Sequence, residues 1–388
     1  VKLLVGKSCF ASGKYLFIDG STYSWEDTPR KNHDLFLGLE KDCSLNKYLS
    51  LSDREPIEFL ERKYLKMMDS LNTKNPNWKS VLPSEKYHMI IRKFQENLKN
   101  TKDFLSNDRY FPYFSSGNKI LNNLASIKPD LALLNQLIEN EKNPTLKSIL
   151  KTFLPDKDGM CSRVFYDRLK TVTGRLIVRS GPQVLLLPRN AKKVISSRYG
   201  DDGVVVWVDY VSLEPRFTKL LSSDDAPLDI YNDIIESYNL ALDRKRVKLA
   251  VLAILFGAGV SKVTEIVGRD AIAIKRAISD YFAFKDILNA TGEYSSGKIK
   301  NFFGRPIKLK KATSNVAINN FVQSSSVDVA LMGFSQLEMP DSAKPVAVIH
   351  DALVVDVLKD DLQQLTSIIK EGVSIEEIGH FHLGFEVL

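Results

Sequence analysis

VVVWVD, residues 204–209, is a run of β-branched and aromatic residues that ends on a carboxylate. Such a run, with no turn signal inside it, reads as a buried strand. A second stretch of the same texture is PVAVIHDALVVDV (345–357), in which Asp351 closes VAVIHD and opens ALVVDV. A carboxylate at the end of a buried strand is costly to desolvate unless something pairs with it. A divalent cation is one such partner, and Mg²⁺ usually takes one or two carboxylates together with substrate phosphates. Two aspartates brought together from distant strands suit two Mg²⁺ ions about 3.5–4 Å apart, a pair that stabilises the attacking and leaving oxygens of phosphoryl transfer. The plainer reading stays open at this level: each aspartate marks a strand end and faces water.

Between the two strands lies DRKRVKLAVLAILFGAG (243–259). It reads as a helix capped by Asp243 and ended by Gly257 and Gly259. Arg244, Lys248, Leu252 and Phe256 fall at steps of four, so they form one slanting stripe about 120° wide and roughly 18 Å long. The stripe runs from two cations to an aromatic ring. A nucleoside triphosphate has the same polarity, with charged phosphates at one end and a flat base at the other. A basic surface helix is the bland alternative.

Outward from this centre the texture changes twice. Residues 1–30 read as short strands with turns. From about 55 to 153, EPIEFLERKYLKMMDSL, SEKYHMIIRKFQENLKN and PDLALLNQLIENEKNPTLKSILKTF carry apolar residues at helical steps, with lysine, arginine and asparagine crowded between them. The order is strands, helices, strand, helices, strands, which predicts an α+β architecture whose sheet leaves and re-enters around a helical insertion. The formal net charge of +7 is a mild basic excess that fits a polyanionic partner without requiring one. Cys9, Cys43 and Cys161 are odd in number and show no CxxC spacing, which argues against a disulfide framework or a cysteine zinc site and for a reducing, cytoplasmic compartment. His380 and His382 alternate onto one strand face, where two solvated histidines are favoured over a metal pair. No apolar run reaches the ~20 residues of a membrane span, so no membrane partner is expected. No signal peptide is visible either.

Taken in order, several segments resemble the DNA polymerase I family, family A. TGRL (173–176) followed by Pro188 is similar to the family's TGRL…P segment. VDYVSLEPR (208–216) resembles motif A, DYSQIELR. Arg244-x3-Lys248-x7-Phe256-Gly257 keeps the spacing of motif B, R-x3-K-x7-YG, and VIHDA (348–352) resembles motif C, VHDE. FFGRP (302–306) and AINNFVQSSSVD (317–328) are similar to the GRRR turn and to AINxPIQGTAAD. The resemblance spans about 160–388. It implies right-hand polymerase architecture, with a palm built on an antiparallel sheet and with helical fingers and thumb. The expected divisions are an N-terminal extension or palm-associated strands (1–50), thumb (51–155), palm (156–235), fingers (236–300) and palm again (301–388).

The resemblance also implies roles. Asp209, Asp351 and the main-chain carbonyl of Tyr210 would hold two Mg²⁺ ions, with Mn²⁺ able to substitute. Arg244 and Lys248 would grip the triphosphate, with Lys248 a proton donor to pyrophosphate. Leu252, Phe256 and Tyr210 would line the nucleotide site, and Glu214 would clash with a ribose 2′-hydroxyl. Arg175, Asn319, Gln323 and His350 would touch the primer-template. The implied activity is template-directed DNA synthesis from dNTPs on primer-template DNA.

Several positions depart from the family pattern: Ala352 for a glutamate, Phe256 for a tyrosine whose hydroxyl could hold Glu214, Leu252 for an aromatic, Asn315 for an arginine, and Ser212 and Pro215 in motif A. These departures suggest a divergent member of viral or mobile-element type with relaxed fidelity or sugar discrimination. FIDGS (17–21) offers one aspartate without a DxE partner, so no 3′–5′ exonuclease is expected in this chain, leaving a place for a separate exonuclease or processivity factor. Three competing readings stand beside this one. A single-subunit RNA polymerase generally has a small residue where Glu214 stands. A catalytically dead nucleic-acid-binding relative would have little reason to keep Asp209, Asp351, Arg244 and Lys248 together. A two-metal nuclease would leave the helix stripe unexplained.

Overall fold

The structure is a computed structural model that describes residues 2–19, 22–32, 35–37, 62–71, 78–156, 158–292 and 294–388. Cys43 and the first part of the expected helix at 55–71 lie outside the described residues. The chain divides into two compact units, Val1–Ser115 and Ser116–Leu388. The division falls within the segment 51–155.

In the first unit, Lys2–Val5 pairs antiparallel with Tyr15–Asp19 and parallel with Leu35–Leu37, and Tyr15–Asp19 pairs antiparallel with Thr22–Glu26. Aromatic contacts add to this sheet: Phe10 meets Trp25 edge-on at 4.9 Å, and Tyr23 stacks on Phe104 at 4.2 Å. Helices follow at Arg62–Ser70 and Ser84–Ser106.

The second unit is built on a four-stranded antiparallel sheet. Its order is Lys344–Ile349, Ala352–Leu358, Gly203–Tyr210, Leu383–Val387. The two apolar stretches of the sequence are therefore neighbours, with Ala352 opposite Asp209 and Leu358 opposite Gly203. The 345–357 stretch folds back on itself. Ile349 pairs with Ala352, so His350 and Asp351 form a two-residue turn. His350 sits at φ 57°, the left-handed region that tight hairpins demand.

One face of the sheet presents Val205, Trp207, Ala347, Ile349, Ala352 and Val354 to a core shared with Ile127, Leu134, Leu150, Phe153 and Val194. Part of that core comes from the stretch 129–153, expected to be helical, which forms two helices, Leu131–Asn140 and Pro144–Lys151. Asn143 caps the second through the Thr145 N–H at 2.9 Å, and Pro144 stands in its first turn, where a missing N–H costs nothing. The edge strand Lys344–Ile349 is not left bare. The Tyr166 hydroxyl donates to the Val348 carbonyl at 2.6 Å and accepts its N–H at 2.9 Å, while the Ala125 N–H donates to the Pro345 carbonyl at 2.7 Å.

The other face meets a long helix, Ser314–Gln336, which is buried on nearly all sides. Tyr210 enters this layer between Phe334 and Phe381, with ring centroids 5.0 and 6.1 Å away. The layer tolerates no side chain at Gly333, where a Cβ would lie 2.0 Å from the Tyr210 hydroxyl and 2.8 Å from Val373. Ahead of this long helix, the insertion between the strands carries the helices Leu213–Leu220, Ile230–Ser237, Arg244–Leu255, Val260–Val267, Ala271–Tyr281 and Phe284–Thr291. No helix among the described residues is long and apolar enough to cross a membrane.

Gly333→Ala is expected to destabilise the fold by about 1–3 kcal/mol through overpacking. The loss should be smaller in a Tyr210→Phe background, which removes the closest atom. Urea melts of the four proteins check this, and equal losses in both backgrounds would contradict it.

Candidate functional site

Strand pairing sets the geometry of the two aspartates. Asp209 stands opposite Ala352, the residue after Asp351, and the Tyr210 N–H donates to the Asp351 carbonyl at 3.4 Å. Part of the Asp209 side chain is open to solvent, yet protein surrounds it closely enough that lost hydration is the main cause of a carboxyl pushed up to about 7. The negative charge of Asp351 is the second cause, only partly offset by the Tyr210 N–H, Lys192 and Lys248. Burial likewise raises Asp351, against the opposing pull of His350, Arg175 and Lys248. Two hard-oxygen donors that repel each other are a donor set suited to a small divalent cation. Among the described residues no third histidine, cysteine, aspartate or glutamate joins them to make a cluster of three.

Opposite this pair stands the helix Arg244–Leu255. Asp243 caps it through the Arg246 N–H at 2.8 Å, and Gly257, at φ 83°, turns the chain out of it. Val247, Ala250, Val251, Ile254 and Leu255 are buried. Arg244, Lys248 and Phe256 are left exposed and Leu252 half-buried, so the stripe read from the sequence is the open face of the helix. The two cations differ in engagement. Arg244 donates to Asp229 at 2.7 Å, and this contact holds Asp229 below the usual carboxylate range. Lys248 lies 5.8 Å from the Tyr231 ring centroid and acts electrostatically on both aspartates.

Glu214 follows Asp209 in the short helix Leu213–Leu220, entered through Ser212 at φ 57°. Burial, then the charge of Asp351, raises its carboxyl. Arg175 meets it at 3.6 Å and also lies over the Phe256 ring, 5.6 Å from the centroid. His350 is exposed at the turn beside Asp351. Asn319 and Gln323 lie one turn apart on the long helix and bond to each other, near the Gly257 turn. The Tyr210 ring points to the far face of the sheet, where its hydroxyl donates to the Ala330 carbonyl at 3.3 Å. Only its main chain reaches the aspartate side. The His380 and His382 rings contact each other at 4.9 Å, and Ser374 lies 3.2 Å from His380 Nδ1.

Other residues of the site were not apparent from the sequence. Lys192 lies 3.9 Å from the Trp207 ring centroid, two residues before Asp209 on the same strand face, and pairs with Glu386 at 3.3 Å. Behind the site is a buried polar network. Arg168 pairs with Asp328, and Asn301 donates to Asp328 at 2.7 Å and accepts the Arg305 N–H at 2.8 Å. The Arg305 guanidinium then donates to the Arg168 carbonyl at 3.1 Å and the Thr171 carbonyl at 3.4 Å. The one local signal was a charged residue, Asp328, inside the otherwise apolar stretch 327–334.

No family model matches the chain. Its structure is similar to the POL domain of Pol1 from M. smegmatis, solved in complex with DNA primer-template and dNTP. The TM-score is 0.56 at 15% identity, over 78% of this chain and 73% of that one. At this identity the likeness is one of fold: a mixed helix-and-sheet domain resembling a polymerase domain.

The raised Asp209 carboxyl has a signed consequence for stability. Between its ordinary value of 3.8 and about 7, the folded chain keeps a proton that the unfolded chain has released. The metal-free protein therefore loses stability as pH rises through that window. Asp209→Asn removes the effect. In EDTA its melting temperature should match the native protein near pH 4 and exceed it by a growing margin up to about pH 7. A margin that stays flat with pH would contradict the assignment.

Proposed function

We propose that this protein is a template-directed DNA polymerase that adds deoxynucleotides to a primer 3′-hydroxyl. The observation that carries the reading is the convergence of Asp209 and Asp351 across one strand pair, with Lys248 acting on both and Glu214 alongside. The likeness in fold to a polymerase domain solved with primer-template and dNTP supports it.

In this reading the sheet is the palm and the helices of the insertion are the fingers. The segment 51–155, with its many basic residues, serves as the thumb, where contacts to phosphates need no base readout. Asp209, Asp351 and the Tyr210 carbonyl would hold the metal ions. When bound, two Mg²⁺ ions would supply the Lewis acidity that activates the 3′-hydroxyl and balances the charge of the departing pyrophosphate. The repulsion between the two carboxylates is what a cation at this place would relieve.

The residues of the chain do the rest. Lys248 faces the aspartates from the fingers helix and meets the triphosphate, placed to give a proton to pyrophosphate. Arg244 exchanges Asp229 for phosphate oxygens, which accept from its guanidinium in the same way. Leu252 and Phe256 form the apolar end of the stripe against the nascent base pair. Glu214 closes the space beside the sugar, favouring dNTPs over rNTPs. His350, Arg175, Asn319 and Gln323 face the primer-template.

Primer extension with labelled dNTPs and Mg²⁺ tests this. The native protein should extend a primed template, while Asp351→Asn and Lys248→Ala should each lose at least about 10²-fold in rate. Extension with rNTPs alone would favour an RNA polymerase, and no extension with either would overturn the reading.

A further inference from the structure

Arg175 occupies an unexpected position for a residue assigned to DNA. Its guanidinium lies 3.6 Å from the Glu214 carboxylate and 5.6 Å from the Phe256 ring centroid. It therefore bridges the helix that carries Glu214 and the end of the helix that carries Phe256, two elements joined by no other ion pair or ring contact among the described residues. Glu214 needs such a partner. Its side chain is only 18% exposed, and Asp351 repels it. Left alone, a carboxylate so placed would swing toward solvent or take up a proton.

The backbone around Arg175 is built to present it. Thr171 and Gly174 close a turn: the Gly174 N–H donates to the Thr171 carbonyl at 3.2 Å, and the Thr171 hydroxyl donates to the Arg175 carbonyl at 2.7 Å. Gly174 sits at φ 78°, and a Cβ there would lie 1.9 Å from Arg305 Nη1. Arg305, only 2% exposed, is thus packed directly beneath the turn, donates to the Thr171 carbonyl and to that of Arg168 just before it, and is tied through Asn301 to Asp328. The turn is fixed from behind, and Arg175 leaves it toward Glu214.

We propose that Arg175 is a specificity-determining positioning residue that fastens Glu214 against Phe256, so that sugar selection rests on this clamp. The inference depends on the polymerase reading and on Glu214 facing the sugar. It revises the expectation drawn from Phe256. A tyrosine hydroxyl is missing there, but a guanidinium takes its place as the group that holds the carboxylate. Sugar discrimination is then retained, and it is lost with Arg175.

The test uses the full chain bound to a primer-template whose primer ends in a 3′-dideoxynucleotide, so that binding is read without chemistry. The affinities of the matched dNTP and the corresponding rNTP are compared in the native protein, Arg175→Ala, Arg175→Gln, Arg175→Lys, Glu214→Ala and Glu214→Ala/Arg175→Ala. The dNTP preference should fall by about tenfold or more in the alanine and glutamine variants and be largely kept by lysine. Within the Glu214→Ala background, removing Arg175 should leave the ratio unchanged. A ratio within about twofold of native in both neutral variants would overturn the clamp. So would additive losses in the double variant, or loss of primer-template binding in every Arg175 variant with the sugar preference of the remaining complex unchanged, which would make the residue a DNA contact alone. Primer extension by the native protein runs alongside. Extension with an unchanged ratio refutes the clamp alone, whereas no extension refutes the polymerase reading and the clamp with it.

Discussion

The register between Gly203–Tyr210 and Ala352–Leu358 is the constraint on which the site depends. Side chains alternate across a strand, so a slip of one residue would carry Asp209 to the face now filled by Tyr210. It would also turn Trp207 out of the core and into the helix layer. The two faces are not interchangeable. One holds Val205 and Trp207 against the helices of 131–151, and the other holds Tyr210 against Phe334 over the bare backbone of Gly333. Apolar packing on both sides thus fixes where a pair of charges emerges. The hairpin turn then sets Asp351 at the same end of the sheet.

A second constraint lies deeper. Arg168, Arg305, Asn301 and Asp328 are all buried, and charges in such a place are tolerated only when paired and hydrogen-bonded. Their pairing ties the turn at 168–174 to a region far along the chain, the turn at 301–305 and the long helix that follows it. The network acts on the site by fixing the turn from which Arg175 projects, as the strand register acts by fixing Asp209.

Much of this was legible in the sequence. The strand at 204–209 and the exposed stripe on the 244–255 helix follow from periodicity, because a local pattern of apolar residues is enough to assign a face. The break at Asn143-Pro144 was equally local, but the apolar steps on either side masked it. The reversal at His350-Asp351 carries neither glycine nor asparagine, so turn chemistry gave no hint of the hairpin. The Arg175–Glu214 contact and the Arg168–Asp328 pair were beyond local reading. Each joins residues whose proximity is created by the whole fold, and no spacing rule encodes it.

The sheet order carries a consequence for how the chain acquires its structure. The Gly203–Tyr210 strand is central, and both of its neighbours, Ala352–Leu358 and Leu383–Val387, come later in the chain. At about 5–20 residues per second, a ribosome needs on the order of ten seconds to make the first partner after the strand has emerged. Through that interval VVVWV has unsatisfied edges on both sides and high β-propensity, the features of an aggregation-prone segment. The nascent chain is therefore a natural client for a holding chaperone between these two points of synthesis. Its folding rate should be governed by this long closure more than by its helices, which form from near neighbours.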